Sequence, residues 1–125
     1  MSDTDILSEC RDTIADTNNR YLEEARDKGD KVIAYTCGYV PEALLSVKGL
    51  VPYRATAPGV DSTEMADSYL SNVMCSYSRS LLESVLDYRF EHIDGWVSAY
   101  SCDHMRRFYD NLVHKIGRAS CRERV

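Results

Sequence analysis

Three short, mostly apolar runs punctuate the chain, and each is followed by a helical pattern rather than by another strand. They are "KVIAYTC" (31–37) before "PEALL", "LVPYRA" (50–55) ahead of "SRSLLESVL", and "DGWVSAYS" (94–101) before "DHMRRFYDNLVH". No two-residue hairpin turn joins consecutive runs. Strands that alternate with helices in this way must run parallel, which gives an α/β fold: a parallel sheet with flanking helices. Because crossovers between parallel strands share one hand, every strand-to-helix junction falls on the same carboxyl edge of the sheet. That edge is where such proteins build their sites.

The rest of the chain fits around this frame. Ile6, Leu7, Cys10, Ile14, Tyr21, Leu22 and Ala25 recur with helical rhythm, so residues 1–28 read as an N-terminal helix, with Gly29 as its stop. Residues 29–115 read as the α/β domain, of the Rossmann or flavodoxin-like kind and incomplete. Pro41 opens a helix that Gly49 ends, and Pro52 confines the second strand to an edge or a strand start. "STEMA" reads as a helical turn after the Pro58-Gly59 turn. Leu81, Leu82, Val85 and Leu86 form one apolar stripe. Met105, Phe108, Tyr109, Leu112 and Val113 form the most regular one, at i, i+3, i+4, i+7 and i+8.

Residues 116–125, "IGRASCRERV", have neither periodicity nor cap and resemble the translation of a short-read sequencing adapter. They are read as an artefact and set aside, which implies a truncated gene product. Residues 1–115 then hold 12 basic and 19 acidic residues, a charge of −7. That balance argues against non-specific nucleic-acid binding, which depends on Lys and Arg neutralising phosphates. No run approaches the roughly 20 apolar residues of a membrane helix. The acidic start "MSDTDILSECRD" lacks a signal-peptide pattern, so the expected compartment is the cytoplasm.

Five cysteines without CxxC spacing, in a reducing compartment, leave metal binding or catalysis as alternatives to ordinary buried thiols. Cys37 follows the first strand, Cys102 the third, and Cys75 starts a helix. Unpaired N–H groups and the partial positive charge at a helix N-terminus favour thiolate, the form that binds iron or zinc. Cys10, on the apolar face of the first helix, reads as core, and His92 as a surface loop residue. His104 and His114 are ten residues apart on one helix and do not form a ligand pair. "DSTEMAD" does not match a calcium loop, and no phosphate-binding glycine fingerprint is present.

Three motifs, in order and at characteristic spacing over residues 30–113, resemble the N-terminal part of the 2-hydroxyacyl-CoA dehydratase and benzoyl-CoA reductase family. They are a cysteine before Tyr-Val-Pro-Glu (Cys37 to Glu42), an Ala-Asp-x-Tyr-Leu lead into Cys-Ser-x-x-Arg-Ser (Ala66 to Ser80), and Asp-Gly followed by Cys-Asp-His-Met-Arg-Arg (Asp94 to Arg107). The resemblance implies an iron–sulfur enzyme subunit of an anaerobe, in which three cysteines bind a [4Fe–4S] cluster and leave one iron open. Cys75 and Cys102 would be two ligands, and the third would come from a later domain. Cys37, Gly38 and Tyr39 would belong to the substrate or active-site loop. Arg79, Asp103 and Arg106 would support the ligands. The implied chemistry is one-electron reduction of a CoA thioester, leading to loss of a 2-hydroxyl or to reduction of an aromatic ring. The implied partners are a homologous sister subunit, an ATP-hydrolysing iron–sulfur activator and the acyl-CoA substrate. A non-catalytic α/β interaction or assembly module of the same fold and a zinc-binding α/β protein are the alternatives.

Overall fold

The computed structural model describes residues 3–116 and 121–123. Its elements run α1 (Asp3–Ala15), α2 (Arg20–Asp27), β1 (Lys31–Tyr35), α3 (Glu42–Leu45), β2 (Leu50–Arg54), α4 (Glu64–Asp67), α5 (Ser76–Leu86), β3 (Gly95–Ala99), α6 (Asp103–Ile116) and β4 (Cys121–Glu123). The four strands form one sheet in the order β2-β1-β3-β4, and every pairing is parallel. Lys31 to Tyr35 pair with Leu50 to Arg54, and Ile33 to Tyr35 with Gly95 to Val97. This is the strand order of flavodoxin-like folds, and the chain reverses its direction of travel across the sheet at β1/β3. Pro52 sits on edge strand β2, where its missing N–H costs no ladder bond.

Alternation along the strands divides the core. Val32 and Ala34 of β1 and Trp96 of β3 face a cluster that includes Leu81, Leu82 and Val85 of α5 and Met105, Phe108, Tyr109 and Leu112 of α6. On the other face, Tyr35 and Ala99 pack with Val40 and the half-buried Leu45 of α3. Both apolar stripes read from the sequence therefore point inward, except that Val113 is exposed.

Three regions depart from the sequence reading. The expected single N-terminal helix is two. Asp16 accepts from the Asn18 N–H at 3.0 Å, and the Asn19 side chain caps α2 by accepting from the Leu22 N–H at 3.2 Å. Side chains that offer the backbone local partners favour turns and caps over helix interiors, so the chain breaks there. Only Leu22 and Ala25 of the proposed apolar face are buried, while Leu7 and Ile14 are 68% and 70% exposed. Cys10 is exposed on α1, which corrects its reading as a core residue.

The helix expected after Pro41 is a single turn. Within the segment set aside at 116–125, Cys121 to Glu123 pair with Val97 to Ala99 as β4. The backbone edge of β3 can pair with an extended segment whatever its side-chain pattern, which is why periodicity gave no sign of this strand. Residues 117–120 and 124–125 lie outside the described residues.

The end of α5 carries one strained residue. Tyr88 has φ +59°, while its N–H donates to Val85 O and the Arg89 N–H to Ser84 O, a helix stop normally made with glycine. The left-handed conformation costs a side-chain-bearing residue about 1–2 kcal/mol, and Tyr88 is 75% exposed, so little packing offsets it. Tyr88→Gly should therefore raise stability in urea titrations by about 0.5–1 kcal/mol, after the greater freedom of glycine in the unfolded chain is deducted. A loss of stability would contradict this account.

Candidate functional site

The switch point between β1 and β3 opens at their carboxyl ends. Its floor is polar. Thr36, directly after β1, and Ser98 near the end of β3 are both buried, with their hydroxyls 3.5 Å apart. A turn closed by the Val40 N–H on Cys37 O at 3.0 Å follows Thr36. Val40 is buried and anchors that turn, while Tyr39 beside it is 81% exposed. A Cβ added at Gly38 would meet nothing within 4 Å, so this loop presents its backbone to open space.

Cys75 and Cys102 flank the same edge. Cys75 is the N-cap of α5, with extended backbone angles, and its carbonyl accepts from the Arg79 N–H at 3.2 Å. Cys102 stands immediately before α6, and its carbonyl accepts from the Arg106 N–H at 3.1 Å. The Met105 N–H points at Cys102 Sγ at 3.5 Å, so the sulfur itself receives a helix N-terminal donor. The two helix starts are joined directly: the Cys75 N–H donates to His104 Nδ1 at 2.8 Å. Both cysteines are solvent-exposed, and Cys37 is half-buried.

The chemistry of Cys75 is set by its neighbours. Partial cover of the sulfur opposes ionisation. Hydrogen bonding with the Ser78 hydroxyl and backbone, joined by His104, outweighs that cover and holds the thiol below its ordinary range. Ser78 is fully buried, with Oγ 3.4 Å from Cys75 Sγ, and its hydroxyl donates to the Cys75 carbonyl at 2.9 Å.

Sequence reasoning missed two contributors, His104 and Tyr77. The Tyr77 phenol stands 3.0 Å from Thr36 O and 2.8 Å from Ala55 O, which ties the start of α5 to the carboxyl ends of β1 and β2. Burial raises its pKa; Arg54 opposes the rise, and charge on Cys37 or Cys75 adds to it. Its position directly after Cys-Ser was the available signal, but only the strand order reveals what it touches.

The three residues expected to support the ligands have other contacts. Arg79 grips Asp67 with two bonds of 2.7 Å and the Thr63 hydroxyl at 2.8 Å, fastening α5 to α4. Asp103 is 86% exposed at its side chain and stands 3.9 Å from Arg106. Arg106 also lies over the Tyr100 ring, 5.3 Å from its centroid. His92, expected on a surface loop, is half-buried near Tyr53 and Phe90, and burial lowers its pKa. It lines a cavity of about 620 Å³ with Asp16, Arg26 and Arg89, at the amino edge and away from the cysteines.

Two exposed thiols at adjacent helix starts are soft donors suited to iron or zinc. Among the described residues, no group of three or more His, Cys, Asp or Glu is arranged to hold a metal ion. No described helix is long and apolar enough to cross a membrane.

The family model described as 2-hydroxyglutaryl-CoA dehydratase, D-component, matches residues 37–121, a span that contains all three cysteines of this edge. A benzoyl-CoA reductase subunit of Thauera aromatica is 32% identical over 111 residues, covering 85% of this chain and 28% of that protein. The beta subunit of (R)-2-hydroxyglutaryl-CoA dehydratase from Acidaminococcus fermentans is 27% identical over 91 residues, covering 73% of this chain and 24% of that protein. The chain thus spans about a quarter of the length of these relatives. A match over most of the chain, centred on the edge that carries its thiols, means that the chain belongs to the 2-hydroxyglutaryl-CoA dehydratase, D-component, family.

Proposed function

We propose that this chain is part of an iron–sulfur acyl-CoA dehydratase or reductase subunit, with Cys75 and Cys102 as two ligands of a [4Fe–4S] cluster. The observation that carries the reading is the pair of cysteines at the starts of α5 and α6, linked by the Cys75 N–H to His104 Nδ1 bond at the switch-point edge. The names of the two relatives, a reductase subunit and a dehydratase subunit, support the class.

Thiolates are the usual protein ligands of iron–sulfur clusters, and three of them leave one iron open to a substrate atom. When bound, the cluster would supply single electrons to a CoA thioester, driving loss of a 2-hydroxyl or reduction of an aromatic ring. The chain's own residues prepare the site. Ser78 and the N-terminus of α5 favour the Cys75 thiolate, and the Met105 N–H donates to the Cys102 sulfur. The Cys37–Val40 turn, with Gly38 and Tyr39 at its tip, forms the wall that an acyl group would meet. Arg79, Asp103 and Arg106 hold the surrounding helix starts through their own ion pairs. The partners that complete the reading are a homologous sister subunit, an ATP-hydrolysing iron–sulfur activator and the acyl-CoA, in the cytoplasm.

Anaerobic reconstitution tests the reading. The complete subunit, given iron and sulfide, should bind one [4Fe–4S] cluster, with a matching EPR signal after reduction. The 125-residue chain alone should bind clearly less, because two thiolates do not make the three-ligand set. An iron-free complete subunit would overturn the function. Stoichiometric cluster in the isolated chain would overturn the ligand count.

A further inference from the structure

Cys75 is held through its backbone, and the group that holds it comes from the other cysteine's helix. As the N-cap residue of α5, Cys75 has an N–H outside that helix's own ladder, a donor that needs a partner. His104 Nδ1 is that partner, at 2.8 Å, and it lies two residues beyond Cys102. The other side of the same residue is fixed as well, since the Cys75 carbonyl receives the Ser78 hydroxyl and the Arg79 N–H. His104 itself rides on a rigid turn. Met105 next to it is 4% exposed, and Phe108 one turn on is fully buried.

We infer that His104 is a positioning residue, which sets the spacing between the Cys75 and Cys102 thiols by accepting the Cys75 backbone N–H. The inference rests on the reading of these cysteines as a ligand pair, and its geometry stands apart from any bound cluster. Accepting at Nδ1 requires the proton on Nε2, so the ring is committed to one tautomer. From there the Cys75 sulfur can move only by rotation about its own side-chain bond, while Cys102 is fixed to the same turn of α6. A histidine present merely to fill space between the helices would be replaceable by any side chain of similar bulk.

Asparagine and glutamine separate these cases. An Asn side-chain oxygen can take the place of Nδ1, whereas the longer Gln carries its oxygen toward the place of Nε2. In the complete, cluster-free subunit, a short rigid bismaleimide should join Cys75 to Cys102, read by mass spectrometry of the linked peptides. The linked yield should fall about fivefold in His104→Ala and His104→Gln, in line with the loss of one backbone hydrogen bond of typical strength. It should return to within about twofold of wild type in His104→Asn. Melting temperatures of all four proteins guard against unfolding, and the Asn–Gln comparison decides the matter even if the alanine variant does not fold. Equal yields in the Asn and Gln variants would overturn the inference, as would a wild-type subunit that forms no link. Iron content, measured separately, reports on the functional reading: a wild-type subunit without iron sinks that reading, while the crosslinking series still decides the role of His104.

Discussion

Phe108→Ala is expected to destabilise the domain by about 3–5 kcal/mol, the usual cost of removing a buried aromatic ring and leaving a cavity. Phe108 is fully buried in α6, where its ring meets Trp96 of β3 edge-on, with centroids 6.0 Å apart. Trp96 in turn contacts Phe90, at 5.3 Å and 86°. This file of rings connects α6, which follows Cys102, to β3 and to the segment before that strand. Domains are stable by only about 5–15 kcal/mol, so the substitution removes a large share of the margin. Trp96 is the sole tryptophan, so urea titration followed by its fluorescence reads the loss directly. Val113→Ala, on the same helix but 41% exposed, should shift the midpoint far less. A Phe108→Ala loss below about 1 kcal/mol would mean that this contact does not anchor α6.

Much of this architecture could be read from the sequence because periodicity reports what faces a core. The runs at 31–37 and 94–101 became central strands, and the stripes on α5 and α6 became the helical half of the main core. The N-terminal segment misled because an apolar rhythm specifies a face without supplying anything to cover it. Ile6, Leu7 and Ile14 kept the rhythm and stayed exposed. The site was legible at the level of edge and motif, since strand-to-helix junctions in a parallel sheet share one side. The links between its members were not legible. Strand order decides that β1 and β3 are neighbours, and hence that Thr36 meets Ser98. The packing of α5 against α6 decides that the His104 ring reaches Cys75, 29 residues away in sequence. Neither fact is encoded in local spacing. The partners of Arg79 were equally hidden: its guanidinium is engaged by Asp67 and Thr63, which no motif spacing shows.

Cys75→Ser and Cys102→Ser should each abolish stoichiometric iron binding by the complete subunit, while Cys10→Ser and Cys37→Ser should leave it unchanged. Ligand chemistry and ligand number both set this expectation. A serine hydroxyl is a hard donor that stays protonated near neutrality and replaces thiolate poorly at iron. Taking one thiolate from a set of three leaves two, too few to hold a cluster against loss to water. The controls test location rather than reactivity. Cys10 is exposed, like Cys75 and Cys102, but stands on α1, ahead of the first strand, rather than at a strand-to-helix junction. Cys37 stands at that edge, where its carbonyl closes the turn on Val40, and its thiol is assigned to the substrate wall. Iron and sulfide analysis after anaerobic reconstitution, with circular dichroism to establish that each variant is folded, gives the comparison. Equal iron in the Cys75, Cys102 and Cys10 variants would overturn the ligand assignment. Loss of iron on replacing Cys37 would move that residue from the substrate wall into the ligand set and make the carboxyl edge of this chain a three-thiol site.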